Sequence, residues 1–232
     1  MRADNCAYKV VEAHNEKVIV DSITRPVGRK VLYLCPSSLL TNVLDEFRRW
    51  APHRNAAYIG GFPKVVRNMV IEQANKLDDC VIILNYEAWR RDTQLLESLV
   101  DMKFDTLIID EAHNAKDMKS NIYKGIERLC LQDHRPEYVI PMTGTPILNR
   151  PQELFTLLHM VNPKEFHTLN DFLFKYCETY EDSNGAAKWR FQPGGLERIV
   201  KRIGRNFIRR TKDDAGINLP PKTVTIHELE VD

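Results

Sequence analysis

The stretch TLIIDEAHNAK, residues 106–116, joins an apolar run to two adjacent carboxylates, Asp110 and Glu111, and to a histidine, His113. A short aliphatic run of this kind predicts a buried strand, and the two acids follow its carboxyl end. An acid at a strand end can hold Mg²⁺, often through water, and a second acid beside it can polarise a hydrolytic water. Two solvated carboxylates at a strand end are equally ordinary, so the acids alone leave both interpretations open.

Four other apolar runs have the same character, and helical patterns separate them. They are VLYLCP (31–36), AAYIGG (56–61), CVIILNY (80–86) and EYVIPMTGTP (137–146). The intervening segments 37–52, 64–77, 87–101 and 120–131 have apolar residues at helical spacing. Strands that alternate with helices of about ten to fifteen residues predict an α/β fold with a doubly wound parallel sheet.

Small polar residues follow several of these predicted strands. Beside the two acids they are Pro36, Ser37, Ser38, Asn85, Tyr86, Thr143, Gly144 and Thr145. Ligands on parallel sheets gather at the carboxyl ends of the strands, so these residues predict one functional edge. Either serine can cap the following helix, and a helix start that carries amides and hydroxyls can also contact a phosphate backbone.

From residue 151 the pattern changes to amphipathic helices that are rich in aromatic residues. Helices are predicted at 151–161 and 169–180, and a further helix begins at 196. The segment 181–195, EDSNGAAKWRFQPGG, is predicted to be a loop or a hairpin. The expected organisation is therefore a parallel-sheet domain over 1–150 and a helical extension over 151–232.

Composition narrows the function classes. The net charge is +1, so contacts to nucleic acid must come from local patches. The five cysteines, Cys6, Cys35, Cys80, Cys130 and Cys177, form no CxxC pair, which favours reduced thiols over zinc or disulfides. Because no apolar run approaches the length of a membrane span, an intracellular soluble protein without a membrane partner is expected.

Five segments in this order closely resemble the first RecA-like lobe of Snf2-family ATPases, in helicase superfamily 2. They are LYLCPSSLLTNVLDEF, VIILNYE, LIIDEAHNAKD, MTGTPILNRPQELFTLLHMVNP and FIRRTKDD followed by LPPKT. The middle section, FLFKYCETY to GGLERI, is most similar to the subgroup that includes the annealing helicases. The resemblance extends from residue 6 to about 225, and it implies an ATP-dependent translocase on double-stranded or branched DNA.

The resemblance also implies roles for individual residues. Asp110 would coordinate Mg²⁺ and Glu111 would activate the water that attacks ATP. His113, with Thr143, Gly144 and Thr145, would couple the nucleotide state to movement. The DNA backbone would lie along the remaining edge residues, which are Pro36, Ser37, Ser38, Asn85 and Tyr86.

One family element has no counterpart in the sequence. The phosphate loop should precede the predicted helix at 6–15, yet only MRADN stands there, and no GxxxxGK[ST] pattern occurs elsewhere. We therefore expect a partial first lobe that needs a complementing N-terminal segment and a second RecA-like lobe, and that binds neither ATP nor Mg²⁺ tightly alone. A split gene, an intein-type break, a truncated read and true degeneration would each account for this. The alternatives are a non-catalytic regulatory module that binds DNA or protein, and an unstable fragment.

Overall fold

The computed structural model describes residues 30–130, 135–147, 150–204, 206–209 and 214. The predicted helix at 6–15 lies outside these residues. So does the last segment, 219–232, LPPKTVTIHELEVD, whose alternating pattern predicts a strand. No helix in the described ranges is long and apolar enough to cross a membrane.

Within the described ranges, five parallel strands form the central sheet in the order β2-β3-β1-β4-β5. The strands are β1 (Lys30–Cys35), β2 (Ala56–Tyr58), β3 (Cys80–Asn85), β4 (Thr106–Ile109) and β5 (Tyr138–Pro141). All six residues of β3 are buried, as a near-continuous apolar run in a covered parallel sheet requires. The predicted parallel sheet is confirmed.

Helices cover both faces of this sheet. They are α1 (Leu40–Trp50), α2 (Lys64–Asn75), α3 (Tyr86–Arg91), α4 (Thr93–Asp101) and α5 (Asn121–Cys130). Helix α1 packs on the face that carries Val31 and Cys35, while α2 to α5 pack on the face that carries Leu32 and Leu34. Two short 3₁₀ turns, Ser37–Leu39 and Ala112–Ala115, follow β1 and β4.

The prediction of a single helix at 87–101 is wrong, because the segment forms two helices that are separated at Asp92. Its Oδ1 accepts a hydrogen bond from the Leu95 amide at 3.0 Å and so caps α4. Its Oδ2 accepts from the guanidinium of Arg67, on α2. An aspartate that bonds to the main chain in this way starts a helix more readily than it continues one.

The extension after residue 150 has its own apolar cluster of helices and a hairpin. Its elements are α6 (Pro151–Val161), α7 (Leu169–Tyr176), β6 (Cys177–Glu181), β7 (Ala187–Phe191) and α8 (Gly195–Ile203). Phe155, Phe172 and Ile199 lie at the centre of this cluster. The helix predicted to run to residue 180 is wrong beyond Tyr176, because residues 177–181 pair antiparallel with β7.

Two pairings explain why this hairpin replaces the last turn of the predicted helix. Arg190 lies opposite Glu178 and contacts its carboxylate at 2.8 Å. At the turn, Asp182 accepts from the amides of Asn184 and Ala186, each at 2.9 Å. Cross-strand pairs and the turn together fix the register of a short hairpin.

The described cysteines, Cys35, Cys80, Cys130 and Cys177, are all buried free thiols. Burial raises the pKa of Cys35 and of Cys130 to about 12 and that of Cys177 to about 11. They are therefore neutral packing residues in the folded chain.

Candidate functional site at the carboxyl edge of the sheet

The predicted site residues converge because four neighbouring strands end at one edge. In the order β3-β1-β4-β5, β3 ends at Asn85, and the other three strands lead into Pro36, Asp110 and Met142. Parallel strands bring their carboxyl ends to the same edge, as the sequence predicted.

Asp110, Glu111 and His113, the acid segment, leave β4 under main-chain control. The Asp110 amide donates to the carbonyl of Leu34 at 2.8 Å and so prolongs the pairing with β1. The Asp110 carboxylate is oriented at both oxygens, since Oδ1 accepts from the Glu111 amide at 2.9 Å and Oδ2 accepts from the Tyr33 hydroxyl at 3.2 Å. This carboxylate therefore has a fixed direction, and each oxygen keeps a lone pair for another partner.

Tyr33 was missed by the sequence reasoning. It lies opposite Ile108 in the sheet register, which places its side chain on the same face as that of Asp110. Burial first, and then the neighbouring Asp110 carboxylate, raise the pKa of Tyr33, so its hydroxyl stays a donor. A single hydroxyl-bearing residue within the apolar run VLYLC was the available signal.

Glu111 has a left-handed backbone conformation, with φ 50° and ψ 49°. This costs an ordinary residue roughly 1–2 kcal/mol. The main-chain amide of Asn114 donates to the Glu111 carbonyl at 2.9 Å and its side-chain amide donates at 3.0 Å. The turn swings the Glu111 side chain out of the strand direction, where it is 46% exposed and its Oε2 lies 3.1 Å from Nδ1 of His113.

The coupling segment, Thr143, Gly144 and Thr145, meets the acid segment through the main chain. The Ala112 amide donates to the Met142 carbonyl at 2.8 Å, and the Met142 amide donates to the Ile109 carbonyl at 2.8 Å. Oγ1 of Thr143 accepts from the Thr145 amide at 3.1 Å, which closes a tight turn. The turn that carries His113 and the loop that carries the threonines are therefore tied together.

Ser37, Asn85 and Glu87, the donor cluster, form the other part of the edge. The Ser37 hydroxyl donates to Oε2 of Glu87 at 2.6 Å. The Asn85 amide nitrogen donates to Oγ of Ser37 at 2.6 Å and to the same Glu87 oxygen at 2.9 Å. Glu87 was not among the predicted residues, although its place two residues after Asn85 was visible in the sequence.

The remaining predicted DNA-contact residues have different surroundings. Ser38 is exposed and Pro36 is half-buried. Tyr86 is buried, and its hydroxyl donates to the Asp110 carbonyl at 2.5 Å, so its ring lies beneath the edge. The prediction that Ser37 or Ser38 caps α1 is wrong. Neither the 3₁₀ turn Ser37–Leu39 nor α1 begins with a hydrogen bond from a capping side chain, and the Ser37 hydroxyl donates to Glu87 instead.

Cys35 lies between the two parts of the edge. Its pKa is raised by burial first, then by the charge of Asp110 and then by that of Glu87. Charges of both the acid segment and the donor cluster therefore act on this thiol. The two groups lie on either side of the end of β1.

An ion pair connects the residue after the 3₁₀ turn Ala112–Ala115 to the extension. Nζ of Lys116 lies 3.1 Å from Oε1 of Glu153 on α6, and the two side chains are 23% and 11% exposed. Glu153 stands in the largely apolar run PQELFTLLHMV. A single acidic residue in such an apolar run was the sequence signal for a buried partner.

Asp110 suits a magnesium ion that is held mostly by substrate phosphates and water. Among the described residues, no group of three or more His, Cys, Asp or Glu side chains could form a protein cage for a metal. Mg²⁺ in phosphate-transfer sites is bound by one or two carboxylates, phosphate oxygens and waters, which fits a single oriented aspartate.

Comparison with known proteins defines the class. A family model described as the SNF2-related domain matches residues 7–232. The human chromodomain-helicase-DNA-binding protein 6 is 30% identical over 219 residues, which cover 89% of this chain and 7% of that protein. The Arabidopsis thaliana protein CHROMATIN REMODELING 4 is 28% identical over 217 residues, which cover 88% of this chain and 9% of that protein.

Solved structures agree with this class. The Sulfolobus solfataricus SWI2/SNF2 ATPase core in complex with dsDNA has a TM-score of 0.62 and 27% identity, over 86% of this chain and 37% of that chain. A second structure of that ATPase core domain has a TM-score of 0.60 at 26% identity. The RecA-like fold that the motifs implied is confirmed.

This chain belongs to the SNF2-related family. It spans less than a tenth of the length of the curated relatives named above, at 7% and 9%. The narrower likeness to the annealing-helicase subgroup stays a prediction.

Proposed function

We propose that this chain forms part of an ATP-dependent double-stranded DNA translocase of the Snf2 type. The observation that carries the proposal is the meeting of the acid segment and the donor cluster at one sheet edge. It is supported by a fold shared with an ATPase core that was solved with dsDNA.

In this proposal the acid segment acts on ATP. Asp110 holds Mg²⁺, which supplies charge neutralisation to the phosphate oxygens when it is bound. Tyr33 and the Glu111 amide keep the Asp110 carboxylate directed. Glu111, which is exposed and turned away from the strand, accepts a proton from the attacking water, and His113 lies close enough to orient it.

The coupling segment transmits the nucleotide state. Thr143, Gly144 and Thr145 follow β5, and the bond from Ala112 to Met142 ties them to the turn that carries His113. A shift at either the acids or the threonines is therefore passed on through main-chain bonds, which resist stretching.

The donor side of the edge contacts double-stranded or branched DNA. Ser37 and Ser38 are exposed hydroxyl residues, and Asn85 presents its amide nitrogen to Ser37. Pro36 shapes the turn, and the buried Tyr86 connects this side to the Asp110 main chain. Contacts to the phosphate backbone are expected, and these position a protein without reading sequence.

We propose a domain boundary near residue 150. We also propose that the complete enzyme acts inside the cell. The sheet domain over 1–150 supplies the site, and the extension over 151–232 leads toward a second RecA-like lobe. Phosphate-loop amides and lysine supply most of the grip on the β- and γ-phosphates, and no such motif occurs in the 232 residues. We therefore expect this chain to need a complementing segment for ATP hydrolysis.

Two measurements on the chain test the proposal. Duplex binding, followed by fluorescence anisotropy over a salt series, should weaken as salt rises. Ser37→Ala should reduce the affinity by about tenfold or more, since one hydrogen bond to a charged group contributes roughly 1.5–3 kcal/mol. The matched control is Ser98→Ala, whose hydroxyl donates only within α4 to the Gln94 carbonyl at 3.0 Å. Equal affinities for the two variants would contradict a DNA contact at this edge.

ATP turnover with and without duplex is the second measurement. We expect none from this chain alone. DNA-stimulated turnover that Glu111→Gln abolishes would contradict the expected inactivity and support the role of Glu111. Salt-sensitive binding without turnover, even after addition of a phosphate-loop segment and a second lobe, would favour the non-catalytic binding module.

A further inference from the structure

Glu87 occupies the donors that a DNA phosphate would need. The Ser37 hydroxyl has one proton, and it points to Oε2 of Glu87 at 2.6 Å. The Asn85 amide has two N–H groups, of which one points to Ser37 and the other to the same Glu87 oxygen, at 2.9 Å. Every donor of this pair is thus directed within the cluster.

The cluster is built into the fold at Asn85. That residue is 6% exposed, and a Cβ atom at Gly60 would lie 2.3 Å from its Oδ1. The alternative amide orientation would turn Oδ1 toward the Ser37 and Glu87 oxygens and oppose acceptor to acceptor. This electrostatic requirement holds the amide nitrogen toward Glu87, while Oδ1 is buried beside Gly60 without a hydrogen-bond partner among the described residues.

Glu87, by contrast, reaches the cluster from the solvent side. It is an exposed residue on α3, one residue after the buried Tyr86. The hydrogen bond from Ser37 is the largest cause that lowers the pKa of Glu87, so the carboxylate is ionised at neutral pH. An ionised carboxylate is an anionic, acceptor-only group, which is also the chemistry of a backbone phosphate.

We propose that Glu87 is a negative determinant of duplex binding, because its carboxylate occupies Ser37 and Asn85 in place of a DNA backbone phosphate. Binding at this edge requires Glu87 to swing away, which its exposed position permits. The inference rests on the proposed DNA contact of Ser37 and Asn85. It predicts that the charge of Glu87 weakens binding through these two donors and not only through long-range repulsion.

The test is a double-mutant cycle in duplex affinity at fixed salt. Glu87→Ala should tighten binding roughly three- to tenfold, the scale of the net contribution of one hydrogen bond. Glu87→Gln keeps an acceptor of the same shape without the charge, so its gain should be smaller. Glu97→Ala is the matched control, since Glu97 is also an exposed glutamate and its partner Arg128 lies 2.8 Å away on another helix.

The Ser37→Ala background separates the explanations. If Glu87 competes for the donors, the gain from Glu87→Ala is clearly smaller in that background, and what remains is the part that passes through Asn85. A gain that is undiminished there, or that Glu97→Ala reproduces, is general repulsion and overturns the inference. Weaker binding by Glu87→Ala overturns it too, because Glu87 would then hold Ser37 and Asn85 ready for DNA. If Ser37→Ala alone matches the wild type, the proposed DNA contact itself fails.

Discussion

Main-chain bonds hold the acid segment, whereas side chains hold the donor cluster. Asp110 continues the pairing of β4, and the turn at Glu111 is held by bonds from the Asn114 and Ala112 amides. Ser37, Asn85 and Glu87 bond to one another across three chain segments. Main-chain bonds fix groups that must keep one geometry, and side-chain bonds at the surface can exchange partners. The first part is thus suited to catalysis and the second to reversible contact.

The ion pair between Lys116 and Glu153 gives the largest expected effect. Lys116→Met removes the cation that lies 3.1 Å from the Glu153 carboxylate, which is 11% exposed. We expect a loss of roughly 2–3 kcal/mol in the free energy of unfolding, somewhat below the value for a fully buried pair. Urea denaturation measures it. The double variant Lys116→Met/Glu153→Leu should recover much of the loss, and a double variant as unstable as the single one would contradict a dominant ion-pair effect.

A pair of glycine variants compares the two parts of the edge directly. A Cβ at Gly60 would lie 2.3 Å from Oδ1 of Asn85 and 2.8 Å from Cδ1 of Leu40, whereas a Cβ at Gly144 has nothing within 4 Å. Gly60→Ala should therefore cost roughly 1–3 kcal/mol through overpacking. Gly144→Ala should change stability by less than about 0.5 kcal/mol. Equal losses in thermal or urea unfolding would show that the donor cluster is not tightly packed.

Tyr33→Phe tests the one side-chain bond to the Asp110 carboxylate described above. Removal of the hydroxyl that lies 3.2 Å from Oδ2 should cost roughly 1 kcal/mol of folding stability, because the half-buried oxygen loses a donor and gains water only in part. Tyr58→Phe is the control, since that ring stacks on Phe62 at the far edge of the sheet. A variant as stable as the control would mean that the main chain alone orients Asp110.

The smallest expected effect is a gain. Glu111 has φ 50°, and asparagine tolerates this conformation better than glutamate does. Glu111→Asn should raise the free energy of unfolding by roughly 0.5 kcal/mol while it removes the proposed base. Glu111→Gln keeps the backbone cost and removes the charge, so its stability should match the wild type. A stabilised Gln variant would assign the gain to charge instead of backbone strain.

The sequence predicted what depends on local patterns. The apolar runs of β1, β3 and β4 and the residues that follow them were readable, because a parallel sheet places all strand ends at one edge. The acids were assigned because they follow β4 directly, and the family resemblance rested on several such segments in order.

The errors and omissions depend on distant partners. Asp92 separates two helices, and its carboxylate accepts a hydrogen bond from Arg67, which lies 25 residues earlier. Residues 177–181 form a strand because 187–191 pair with them. The tyrosine hydroxyl on Asp110 and the glutamate on Ser37 join residues 77 and 50 positions apart. Single-residue patterns do not contain such pairs, which only the folded chain brings together.

The buried thiols are natural reporters of local opening. Cys35 lies at the carboxyl edge of the sheet, Cys80 at the start of β3, Cys130 at the end of α5 and Cys177 at the first residue of the hairpin. Because burial keeps these thiols protonated, each reacts with an alkylating reagent only when its own surroundings open. The labelling rates of these four cysteines would therefore report the rate of local opening in the sheet separately from that in the extension, without an engineered probe.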